Sequence, residues 1–184
     1  ESTTVGYINF HYPKSHTFSL ELATKQNDFL TSLSQSFGVE IDTIDYYFAP
    51  TSEEIQRLRG FDFIIGNNGD QIPSGKADPK NRIVHSNGLA EYYPHEFIHI
   101  LPNPSYPNCH LSSNEGVATY FGMSRCKELD WHLRRWNAHL LTHPNVDLNE
   151  MLTLRTLDQF TDYRYVLGGL LVQLAYEKGG YALV

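Results

Sequence analysis

An α+β fold is what this 184-residue chain predicts, and three observations carry the prediction. Short segments rich in β-branched and aromatic residues crowd the first half, as half-buried strands require. From residue 89 onward the apolar residues recur at helical spacing instead. Strands first and helices afterwards is the α+β order. The length suits one domain over 1–184, with a sheet-rich half over 1–88 and a helical half over 89–184.

Val5 to His11 alternates in polarity and reads as a strand closed by Pro13, with His16 to Leu20 as its hairpin partner or extension. Glu21 to Phe37 carries Leu22, Phe29, Leu30, Leu33 and Phe37 at approximately helical spacing, and Gly38 is its stop. Thr43 to Ala49 reads as a second strand. A helix follows, capped by Thr51 or Ser52, with acids in its first turn, running to about Leu58 and stopped by Gly60. Phe61 to Ile65 is a third strand, and Gly66 to Pro79 is dense enough in Gly, Asn, Asp and Pro for a long loop or extended hairpin connection. Arg82 to His85 is a fourth strand, with His85 a cleft-lining or surface residue rather than a ligand.

A helix is expected from near Leu89 to Leu101. Pro94 is tolerated only in a first turn, so the regular part begins close to Tyr93. Pro102 and Pro104 bracket its end. Ser112 to Glu115 supplies caps for a helix running through Ala118, Phe121 and Met123. Lys127 to Leu141 is helical, with Leu129, Leu133, Trp136 and Leu140 on one side. Asp147 to Phe160 reads as short helical pieces. Thr161 or Asp162 caps a last helix, Tyr163 to Lys178, whose glycines allow close packing.

A net charge of −7 and the lack of any basic run disfavour nucleic-acid binding. No apolar stretch has the length of a membrane span. The longest, Val166 to Ala175, is broken by Gly168, Gly169 and Gln173. Cys109 and Cys126 are not spaced as a metal pair and read as free thiols. The start at Glu1 without a signal peptide fits a trimmed chain or a mature exported one, so an extracytoplasmic or secreted location is the expectation.

The chemistry concentrates in Tyr93-Pro94-His95-Glu96-Phe97-Ile98-His99, an HExxH pattern. Positions i and i+4 share a helix face, so His95 and His99 can hold one metal ion, with Glu96 beside them as general base for an activated water. Taken alone the pattern is short, and the two histidines could be polar residues on a helix. Catalytic zinc needs a third protein ligand and an open position. Glu115, in Asn114-Glu115-Gly116-Val117-Ala118, lies sixteen residues after His99 and can complete a His₂Glu set. His110 is the rival third ligand. An HExxHxxGxxH pattern is excluded, because Pro102 and Ser105 stand where it needs Gly and His. His132, His139 and His143 also fall close together. His139 and His143 are four apart, but Thr142-His143-Pro144 ends a helix there, so this is a surface coincidence rather than a second metal site.

HExxH followed by NEGxA on a second helix resembles the gluzincin zinc metallopeptidases, the group of thermolysin and aminopeptidase N. NEGVA is most similar to the aminopeptidase segment NEGFA, and Tyr165-Val166-Leu167-Gly168-Gly169-Leu170-Leu171 is similar to a later aminopeptidase segment with a tyrosine three residues before a glycine. The resemblance covers roughly Ile83 to Gly180. It implies a zincin-like core, a Zn²⁺ cofactor, a peptide or protein substrate, and Tyr165 as hydrogen-bond donor to the oxyanion, with Tyr163 as the fallback. It also implies that the strand before HExxH, here Arg82 to His85, is a sheet edge bordering the cleft. Two departures stand out. The His99–Glu115 spacing is a few residues short, and no GxMEN-like motif for a substrate's amino terminus precedes it. The expected function is zinc-dependent peptide hydrolysis. The alternatives are a silent binding module on the same fold and a zinc hydrolase of a non-peptide amide.

Overall fold

The structure is a computed structural model that describes residues 1–58, 60, 75–88, 90–147, 157, 158 and 160–184. Among the described residues it is a mixed α+β chain with a five-stranded sheet and six α-helices. The chain divides into two compact units, Glu1–Ser105 and Tyr106–Val184.

In the first unit β1 (Ser2–Val5) and β2 (Ile8–His11) form an antiparallel hairpin. The sequence reads this stretch as one strand from Val5. The turn Gly6-Tyr7 divides it, and Gly6 adopts φ +58°, which glycine alone reaches at little cost. Residues 16–19 are not a strand. Helix α1 (Leu20–Phe37) starts where Ser19 Oγ accepts the Leu22 N–H at 3.3 Å, and it ends at Gly38 in the left-handed conformation. Strand β3 (Ile44–Ala49) follows, then α2 (Ser52–Leu58), whose Glu54 N–H donates to Thr51 Oγ1 at 3.2 Å. The expected third strand Phe61 to Ile65 lies outside the described residues. Gly75–Asp78, expected in a loop, is β4, paired antiparallel with β5 (Ile83–Asn87).

The strand order is β1-β2-β3-β5-β4, with β2–β3 and β3–β5 parallel. The strand expected over Arg82 to His85 is thus β5, which begins at Ile83 and is interior, contrary to the edge expected for it, because β4 occupies its outer side. Register puts Ile8 opposite Ile44, Phe10 opposite Tyr46, and Tyr46 opposite Val84. These residues are buried and form one apolar face. His85 points to the other face. It too is buried, so it is no surface residue.

In the second unit α4 (Leu111–Gly122), α5 (Leu129–Thr142) and α6 (Tyr163–Gly179) pack together. Leu129, Trp136, Tyr163 and Val166 form a core that Leu133, Leu140 and Leu170 cover. Helices α4 and α6 meet through glycine: a Cβ on Gly168 would stand 2.0 Å from the Ser112 carbonyl oxygen, and one on Gly116 2.4 Å from the Gly168 carbonyl carbon. The glycines inside NEGVA and YVLGG are thus packing requirements. Asp162 caps α6 by accepting the Arg164 N–H at 2.9 Å. Most of the expected helical pieces between Asp147 and Phe160 lie outside the described residues. Among the described residues no helix is long and apolar enough to cross a membrane. Cys109 and Cys126 are both free.

Candidate metal centre

Helix α3 (Pro94–Ile100) carries HExxH. It starts five residues later than Leu89, with Pro94 at its first position and Tyr93 as N-cap. A residue before proline is pushed toward extended backbone, so the helix cannot propagate back through Tyr93. Six of its seven residues are buried; His99 alone is half-exposed.

Such a short helix needs anchoring from outside. Phe97 and Ile98 are fully buried, and the Phe97 ring meets Tyr46 edge-on at 5.4 Å. The segment leading into α3 is pinned by three polar side chains that the sequence does not flag. Tyr93 N–H donates to Gln26 Oε1 at 2.8 Å, and Tyr46 Oη donates to the Ala90 carbonyl at 2.8 Å. Buried Glu91 accepts from Ser19 N–H at 2.7 Å and contacts His16 Nε2 at 2.8 Å. A buried carboxylate demands such partners. These contacts tie the start of α3 to α1 and β3 and so set which way its histidines face.

On α3 the His95 and His99 rings lie 5.2 Å apart, inclined at 75°. Glu96, next to His95 in the chain, is buried, and its side chain lies where a Cβ on Gly75 of β4 would collide with it, at 2.3 Å. Glycine at 75 therefore leaves room for the expected base. Beyond the helix, the Asn103 amide nitrogen Nδ2 stands 2.7 Å from His99 Nδ1.

On α4, Glu115 sits half-buried, one residue before the packed Gly116. On α6, Arg164 is hydrogen-bonded to Asp162, and that bond, with the charges of Asp162 and Glu115, holds its guanidinium pKa above the ordinary value. Tyr165 is half-buried on α6. Tyr163, the fallback for its role, is 3% exposed within the α5–α6 core, and burial raises its phenol pKa. That placement makes it a core residue.

Among the described residues, His95, His99 and Glu115 form the group of metal-ligating types that could hold an ion: each offers one ligand atom, and these lie within 4.8 Å of one another. His110 is not part of it. Its Nδ1 accepts the Ser112 N–H at 3.2 Å and caps α4. Two imidazoles and one carboxylate match the donor set of catalytic zinc, with a fourth position open.

No family model matches the chain, and no curated protein or solved structure matches it either.

Proposed function

We propose that this chain is a zinc-dependent metallopeptidase of gluzincin type. The observation that carries the reading is the His95–His99–Glu115 group with Glu96 adjacent to its first ligand. Zinc bound there would polarise a substrate carbonyl and acidify water. The chain's own residues supply the rest. Glu96 accepts a proton from the attacking water and returns it to the departing amine. Its side chain occupies space that any side chain at position 75 would take. Tyr165 donates a hydrogen bond to the developing oxyanion, as the sequence resemblance implies. Peptide as substrate class rests on the same resemblance, HExxH ahead of NEGVA.

The test combines metal analysis by mass spectrometry with cleavage of a mixed peptide library. One zinc per chain together with cleavage is the expected result. Zinc without cleavage would move the reading to a non-peptide amide or a silent binding module. No zinc after reconstitution would reduce His95-Glu96-His99 to a helix pattern without a metal.

A further inference from the structure

We propose that Asn103 is a positioning residue for His99, holding its ring in the tautomer that directs the Nε2 lone pair to the metal. The inference rests on the metal-centre reading above and adds a residue that no motif marks. Asn103 lies four residues past His99, in the 3₁₀ turn Asn103–Ser105 that follows α3. Its amide nitrogen Nδ2 stands 2.7 Å from His99 Nδ1.

The seat of this amide is stiff. Pro102 and Pro104 fix φ on either side of it. Ser105 N–H closes the turn on the Pro102 carbonyl at 3.0 Å, and Leu101 N–H continues α3 onto Phe97 at 3.0 Å. A side chain held this way loses little further freedom when it engages the ring.

As placed, the amide NH₂ faces the ring; a half-turn of the amide puts an oxygen of nearly the same shape in its position, so either can face the ring. With NH₂ facing, Nδ1 must accept and the proton resides on Nε2, which then has no lone pair for a metal. With oxygen facing, Nδ1 keeps the proton and Nε2 carries the lone pair. Metal-binding histidines almost always donate through their other nitrogen to such an acceptor. The metal and the Asn103 oxygen therefore select the same ring state, and each strengthens the other.

Zinc affinity is measured by chelator competition for wild type, Asn103→Ala and Asn103→Asp, and the His99 tautomer is read by long-range proton–nitrogen NMR with and without zinc. Asn103→Ala weakens zinc about 10- to 100-fold. Asn103→Asp, which presents an oxygen whichever way it turns, binds zinc at least as tightly as wild type. In zinc-loaded wild type the proton is on Nδ1 of His99. Equal affinity in Asn103→Ala and wild type, or a proton on Nε2 in the zinc-loaded protein, overturns the proposal and leaves the metal centre standing. A wild type that takes no zinc overturns both. Should metal-free Asn103→Ala fail to show a cooperative melt, the Asn103→Asp affinity and the wild-type tautomer decide: a marked loss in Asn103→Asp would also overturn the proposal.

Discussion

Helix α3 and the C-terminal end of α5 each carry two histidines four residues apart, and the two pairs have different surroundings. On α3 the rings are inclined at 75°, His95 is buried, and both belong to the group with Glu115. At the end of α5 the His139 and His143 rings are stacked 4.0 Å apart, and His143 Nδ1 contacts the His139 carbonyl at 3.0 Å and Thr142 Oγ1 at 2.9 Å. That nitrogen serves a helix terminus whose last carbonyls lack partners. Helical spacing creates the chance of a metal pair. A third ligand within reach, and what else the ring nitrogens are engaged in, decide whether it becomes one.

The sharpest way to break the comparison is to remove the base from one pair. Glu96→Gln should keep its zinc and lose peptide turnover by about 10²- to 10⁴-fold, the share typical of a general base. Full activity in this variant, measured as kcat/KM on a cleaved library peptide, would remove Glu96 from the mechanism. Next comes the third ligand. Glu115→Ala should lower bound zinc from one per chain to a small fraction under dialysis, while the double variant His139→Ala/His143→Ala should leave it at one. A reversed result would transfer the metal to α5. A smaller effect tests the packing behind Glu115. Gly168→Ala forces a methyl group against the Ser112 carbonyl, so it should cost about 1–3 kcal/mol of stability, read as a lower melting temperature. An unchanged melt would mean that α4 and α6 do not meet backbone to backbone.

The smallest expected effect concerns His132, in the first turn of α5. It is 1% exposed, with Nε2 at 2.9 Å from the Ser124 carbonyl and Nδ1 at 3.2 Å from Thr161 Oγ1. The carbonyl can only accept, so Nε2 carries the proton and Nδ1 accepts from Thr161: a neutral ring used for structure. Burial, with Arg135 and Arg125 nearby, holds its pKa below the ordinary imidazole value against the opposing hydrogen bonds to Ser124 and Lys127. The unfolded chain then binds the proton first as pH falls below about 6.5, and stability declines through that window. His132→Gln should flatten the decline in urea-unfolding free energy between about pH 7 and pH 5. An unaltered slope would show that His132 does not titrate differently in the two states.

Local patterns were legible wherever the determinant is local. The helix Glu21 to Phe37 is within one residue of α1, since its amphipathic period and Gly38 act through neighbouring residues. Thr43 to Ala49 and the Asp162 cap are equally close. The edge assignment of Arg82 to His85 failed because strand order depends on what pairs outside β5, and Gly75–Asp78 gives little strand signal of its own. Asn103 was missed although its spacing of four from His99 is visible; the chain leaves the helix between them, so periodicity says nothing about its direction. Gln26, Glu91 and Tyr46 hold the start of α3 from positions 44 to 75 residues away from their partners, beyond any local pattern.

By itself the sequence determined the mixed α+β class, the helix face shared by His95 and His99, and the candidacy of Glu115. Each follows from backbone periodicity or from residue chemistry at short range. Only the tertiary structure decided that Tyr163 is core and that glycine at 75 makes room for Glu96. Those outcomes depend on which surfaces meet after folding, and close packing between distant segments leaves no periodic trace along the chain.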